Sequence, residues 1–239
     1  MSKPLILHIE TATDICSVAI SEGDQQLVTA ESGPERSHAT LLNSFIRKCL
    51  HESNKELQEF EAIAVSKGPG SFTGLRIGVS TAKGIAYGLQ KPLLSIGTLQ
   101  SMAAGASSHS DIQELILKYG SNLILCPMLD ARRMEVYTGF LTQELEVVRE
   151  VAADIVDEAS FGEILEKNKV CFFGNGADKC EEVIKHPNAY FIKGFNPSAT
   201  HMIKPVLKRF KEQQFEDVAY FEPFYLKDFV ATTPKKKVL

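Results

Sequence analysis

AIAVSKGPGSFTGLRIGVSTAKGIAYG, residues 62–88, is a short apolar run that passes into a glycine-rich turn and then into a glycine- and alanine-rich helix. Gly68, Pro69 and Gly70 suit a tight turn, and Ser71 or Thr73 is placed to cap the helix behind it. Backbone N–H groups at such a helix start can bind an anion. Past the turn Gly74, Gly78, Ala82 and Ala86 recur at every fourth position, which leaves one helix face nearly bare and open to another backbone.

Neither common nucleotide signature fits the turn. No Gly-Lys-Ser/Thr follows at Walker spacing, the glycines fall as G-x-G-x-x-x-G, and no acid lies within the next forty residues to hold a ribose hydroxyl. A tight turn and a helix packed on its sheet would explain the glycines without a ligand. Between Glu61 and Asp111, however, there is no carboxylate, while Lys67, Arg76, Lys83 and Lys91 fall inside, so the window is +4 and the rest of the chain −8. That asymmetry favours an anion site or a protein interface.

Working outward, strands are expected at 5–10, 15–20 and near 27–30, a helix from Ser37, the strand 62–66, and the helix ending at Leu89. From Ser121 the order returns: strands at 123–128, 134–141 and, briefly, near Val147, a helical turn at 161–166, a strand at 170–173, and a helix opened by Gly174-Asn175-Gly176 and running toward Ile184. A last amphipathic segment carries Met202, Ile203, Val206, Leu207 and Phe210. The shared order and the matched glycine turns predict a duplicated α/β fold of the actin-like (ASKHA, ribonuclease H-like) kind, βββαβα twice with a diverged second half. The expected division is 1–105 and 106–239, with the C-terminal segment returning to the first half.

At 239 residues, 44% hydrophobic and 23% charged, the chain has the composition of an ordinary globular protein. Its apolar runs are too short to cross a bilayer, and MSKPLILHIE meets Glu10 too early for a signal peptide, so a cytoplasmic location without membrane contact is expected. The cysteines at 16, 49, 126, 171 and 180 form no Cys-x-x-Cys pair and are expected as reduced, buried thiols. No pair of histidines has ligand spacing: one turn on from His38 stands Leu42, so no metal site is expected.

Glu10, Asp14 and Asp130 fall at strand ends, where a cleft enzyme would keep a general base or a magnesium ligand. In an actin-like scheme the first hairpin faces the phosphates, so Glu10, Thr11, Thr13, Gly68, Gly70 and Ser71 are the candidates for an anion- or nucleotide-facing set. The helix from Ser37 presents two apolar rows, Leu41, Phe45, Cys49 and Leu42, Ile46, Leu50, a broad face that one sheet ordinarily covers as core or that, beside the bare face of the next helix, leaves a strip open to a partner helix. Lys235-Lys236-Lys237 is expected as a solvated tail.

Three stretches carry a resemblance: LHIETATDICSVAI, SKGPGSFTGLRIGVSTAKGIAYG and PMLDARRMEVYTGF, supported more loosely by GTLQSMAAGA and FEPFYLKDFVA. By them the chain resembles the TsaB (YeaZ) family, the dimerisation subunit of bacterial tRNA N6-threonylcarbamoyladenosine (t6A) synthesis. The resemblance implies no catalytic residue and no metal here, with catalysis in the related subunit TsaD, whose metal site uses a His-x-x-x-His helix. It implies a partner interface on two helices, at Leu41, Leu42, Phe45, Ile46, Gly74, Leu75, Arg76, Gly78, Val79 and Ala82. The expected partners are TsaD as a heterodimer, a second copy when TsaD is absent, and the ATPase TsaE. tRNA would be held only through the complex, and ATP or ADP would belong to the complex rather than to this chain. An actin-like phosphotransferase or ATPase acting alone on the Glu10–Gly68 cleft remains the alternative.

Overall fold

In a computed structural model of the chain, residues 3–33 and 38–227 are described. Two five-stranded sheets form the framework. The first half contributes β1 (Leu5–Glu10), β2 (Ser17–Glu22), β3 (Gln25–Glu31), α1 (His38–Ser53), β4 (Ala62–Gly68), α2 (Phe72–Leu89), β5 (Leu93–Gly97) and α3 (Thr98–Ala106). The second adds α4 (Ser110–Tyr119), β6 (Leu123–Asp130), β7 (Glu135–Leu141), β8 (Val147–Ile155), α5 (Gly162–Lys167), β9 (Lys169–Phe173), α6 (Ala177–Glu181), β10 (Ala189–Ile192) and α7 (Ile203–Lys211).

The sheet orders are β3-β2-β1-β4-β5 and β8-β7-β6-β9-β10, with the first three strands of each antiparallel and the last two parallel to the first. One topology used twice is the duplicated actin-like fold. All six residues of β1 are buried because helices cover both faces of its sheet. Leu5, Leu7 and Ile9 meet α1 and α2, whereas Ile6 turns to the other side and meets Met202 and Val206 beside and within α7. Likewise Leu123, Leu125 and Leu129 meet α3, and Ile124, Cys126 and Met128 meet α5 and α6. The layers therefore run α1/α2, first sheet, α3/α7, second sheet, α5/α6.

Several elements differ from the expectations. β8 is nine residues long, not a brief strand near Val147, because Arg149, Glu150 and Asp154 interrupt its apolar pattern on a half-exposed edge. The helix after Gly174-Asn175-Gly176 stops after five residues. The sequence pattern leaves 90–120 and 189–192 unassigned, where the structure places β5, α3, α4 and β10. The expected division at 105 and 106 falls at the end of α3, whose Leu99, Met102, Ala103 and Ala106 pack on the second sheet. In return, Ala199 N–H donates to Ser17 Oγ at 2.9 Å, and Phe224 N–H donates to Lys67 O at 2.7 Å. All five cysteines are free and buried.

Candidate functional site

The glycine turn lies against its own hairpin. Gly68 has φ +113° and precedes a cis peptide to Pro69. A Cβ on Gly70 would overlap Ala12 O, and that oxygen accepts the Ser71 N–H at 2.7 Å. Ser71 caps α2 by accepting the Gly74 N–H at 3.2 Å, one of the two caps foreseen. Behind the cap, the bare helix face is already filled. Thr11 donates its hydroxyl to Gly74 O at 2.8 Å, and a Cβ on Gly78 would overlap the Thr11 hydroxyl. Gly74 and Gly78 are small because β1 ends against them, not because the face is vacant.

The anion-facing set is correspondingly divided. Glu10 and Thr11 are fully buried, and Gly68 is buried against Leu75 and Phe224. Glu10 Oε1 accepts the Ala12 N–H at 2.7 Å and the Ser66 hydroxyl at 2.6 Å, so the side chain fastens the hairpin to β4. Burial pushes its carboxyl up, against the pull of those bonds. His8, two residues earlier, shares a hydrogen bond with Ser21 Oγ at 2.8 Å, and burial pushes it down to about 3. Glu10, Thr11 and Gly68 are thus corrected to internal positions rather than the cleft wall, with Glu10 Oε2 buried and without a hydrogen-bond partner among the described residues.

Thr13, Gly70 and Ser71 do line a cleft of about 500 Å³ between the halves, opposite Asp130, Arg132 and Asn175. Asp130 accepts the Arg132 N–H at 2.9 Å and Lys179 Nζ at 2.5 Å, while Lys227 is paired with Glu135. The Ser71 amide is used by Ala12 O, and Lys179 and Lys227 are held by carboxylates, while Arg132 lines the cleft. His38 Nε2 lies 2.5 Å from Thr13 O, which turns the ring onto the hairpin. Among the described residues, no group of three His, Cys, Asp or Glu side chains is placed to hold a metal ion.

The expected interface residues need a similar correction. Leu42, Ile46, Leu75, Val79 and Ala82 are 0–5% exposed and, with buried Gly74 and Gly78, face the chain's own core. Leu41 and Phe45 are half-buried on the rim of α1. Arg76 is exposed, but its guanidinium lies 4.2 Å from the Phe72 ring centroid and Nε donates to Tyr225 Oη at 3.3 Å. The outer surface of α2 is a row that the four-residue periodicity passes over: Thr73, Ser80, Gly84, Tyr87 and Gly88, all exposed, with nothing within 4 Å of a Cβ built on either glycine. Asking which glycines have no neighbour, rather than which are evenly spaced, is what separates the two rows.

A second signal stands in the sequence unread. No carboxylate occurs between Glu182 and Glu212, a stretch carrying Lys185, Lys193, Lys204, Lys208, Arg209 and Lys211, so the 62–110 window is not the most basic one. Ser37 and Lys235-Lys236-Lys237 lie outside the described residues.

The family model described as TsaD, tRNA N6-adenosine threonylcarbamoyltransferase, matches residues 32–235. A protein of Escherichia coli (strain K12) named tRNA threonylcarbamoyladenosine biosynthesis protein TsaB is 29% identical over 232 residues, covering 95% of this chain and 96% of the relative. Its namesake in Bacillus subtilis (strain 168) is 28% identical over 228 residues, covering 93% of each. A crystal structure from Pseudomonas aeruginosa, of an uncharacterized protein with similarity to peptidase YEAZ, superposes with a TM-score of 0.79 at 25% identity, covering 94% of this chain and 100% of that one.

Proposed function

We propose, from the premise that this chain belongs to the TsaD family and matches its TsaB-named members along nearly its whole length, that it serves t6A synthesis on tRNA as a non-catalytic subunit that docks on and activates a TsaD-type transferase. The end-to-end match to proteins named for t6A biosynthesis carries the reading. The site geometry supports the non-catalytic part: Glu10 is spent on the hairpin, Asp130 on Lys179, and His38 on Thr13 O.

Docking would use the outward faces of α1 and α2, where Leu41 and Phe45 adjoin the row of Thr73, Ser80, Gly84 and Gly88. Small residues there let a partner helix come close over its backbone. Gly74, Gly78 and Ala82 would act from behind, by holding α2 on the sheet. A second copy of the chain can use the same surface in the absence of TsaD, and TsaE would join the assembled pair. Location in the cytoplasm goes with this role; no helix among the described residues is long and apolar enough to cross a membrane.

The test is a threonylcarbamoylation assay reconstituted from the cognate TsaD and TsaE with and without this chain. The proposal expects t6A to form only when the chain is present, and the chain alone to turn over no ATP. ATP hydrolysis by the isolated chain, abolished by Glu10→Gln, would instead favour an independent actin-like phosphotransferase.

A further inference from the structure

α7 is basic on one side and apolar on the other. Ile203, Val206 and Leu207 are buried, whereas Lys204, Lys208 and Lys211 stand exposed at i, i+4 and i+7. None of the three makes an ion pair or a side-chain hydrogen bond to another described residue, although Glu212 lies one turn on from Lys208. Some lysines elsewhere are paired: Lys48 with Glu52, Lys55 with Glu59, and Lys193 with Glu181. Like charges at these spacings work against a helix, so the row carries a cost of its own.

The same helix walls a groove of about 680 Å³. Lys204 and Lys208 stand on its rim, Ala103, Ile116 and Leu125 line it, and the Gln100 amide and the Gln143 side-chain carbonyl offer hydrogen bonds, the Gln143 side-chain N–H donating to Gly120 O. Two carboxylates, Glu144 and Glu212, share that rim. Arg209 is committed elsewhere, donating to Ser95 O at 2.7 Å.

We propose that the outer face of α7, with the groove it walls, is a docking surface for an RNA phosphate backbone. The three lysines are spaced along about 10 Å of helix, a span that suits successive phosphates of a chain better than one small anion. The groove beside them has apolar walls for a base and amides for its edges. α7 covers the face of the first sheet opposite α1 and α2, so RNA here and a protein on those helices would not compete. The choice of RNA over another polyanion rests on the t6A reading; the surface itself does not.

The experiment is fluorescence anisotropy of a labelled tRNA transcript titrated with the full chain, between about 50 and 200 mM salt. In K204A/K208A/K211A, affinity at the low-salt end should fall at least about tenfold and the log–log salt slope should lose about two to three. Alanine preserves the helix, and a circular-dichroism melt checks that it does. K204R/K208R/K211R should bind as the wild type does. Unchanged affinity and slope in the alanine variant would overturn the proposal, as would displacement of tRNA by stoichiometric inorganic triphosphate, which would mark a small-anion site. Co-elution with TsaD keeps the two readings apart. Failure of the wild type to pair with TsaD would count against the proposed function, yet leave the α7 result standing.

Discussion

The two halves build the same hairpin tip and use it differently. At the end of β1, Glu10 accepts the amide of Ala12, two residues on; at the end of β6, Asp130 accepts the amide of Arg132, again two residues on. In both, the glycine turn after the fourth strand meets the hairpin, through Ser71 N–H to Ala12 O in the first half and Asp130 N–H to Asn175 Oδ1 in the second. Yet Glu10 is fully buried beneath an 18-residue helix with Thr11 set into its glycines, while Asp130 is exposed to the cleft beside a helix of five residues. The first half has sealed its tip to support a long helix pair, and the second has kept an open tip and shortened its helices. A turn that can cradle phosphate has become, in the first half, the footing of a surface.

The largest expected effect comes from breaking that footing. Gly78→Leu should destabilise the chain by about 3 kcal/mol or more, since Thr11 and the strand behind it cannot yield, and Gly78→Ala by about 1–3 kcal/mol. Thr11→Ala should recover part of the Gly78→Ala loss in a double-mutant cycle read by urea denaturation. Additive losses would mean that the two residues do not share the space.

Acid should come next. His8 is held down to about 3 against an ordinary value of 6.5, so below pH 6.5 the unfolded chain takes a proton that the folded chain refuses until about pH 3. Stability should therefore decline through that window by up to about 1.4 kcal/mol per pH unit from this residue. Glu10 runs the other way. Its carboxyl is raised above 4.5, so its contribution declines as pH rises past that value. His8→Asn should flatten the acid limb of a stability-versus-pH curve, and an unaltered limb would show that burial of His8 is not its source.

Truncating the paired carboxylates compares the tips directly. Glu10→Ala should cost about 1–3 kcal/mol, because it leaves the Ser66 hydroxyl and the Ala12 amide buried without their acceptor. Asp130→Ala removes an ion pair at an exposed carboxylate and should cost less than about 1 kcal/mol. Thermal melts of the two variants suffice, and equal losses would deny the difference between the tips.

Much of this arrangement was legible. The order of elements, the glycine turns and the Ser71 cap follow from local pattern, since periodicity and turn chemistry are local properties. The role of Gly78 was not, because a glycine kept for a neighbour 67 residues earlier in the chain, Thr11, looks like one kept for a partner protein. Glu10 misleads for the same reason: a carboxylate at a strand end suggests chemistry until Ser66, 56 residues on, is seen to claim it. β8 was obscured by the polar side chains of a sheet edge, and the α7 lysines by a charge of −8 pooled over everything outside the 62–110 window.

Gly84 tests the central claim most directly. It lies on the exposed row of α2 with nothing near a built Cβ, so Gly84→Glu meets no neighbour in the free chain and should stabilise the helix by about 0.5–1 kcal/mol. Size-exclusion chromatography with light scattering on this variant and its cognate TsaD should then show two separate proteins, with a melting temperature equal to or above that of the wild type. A heterodimer formed as readily as with the wild-type chain would contradict the account.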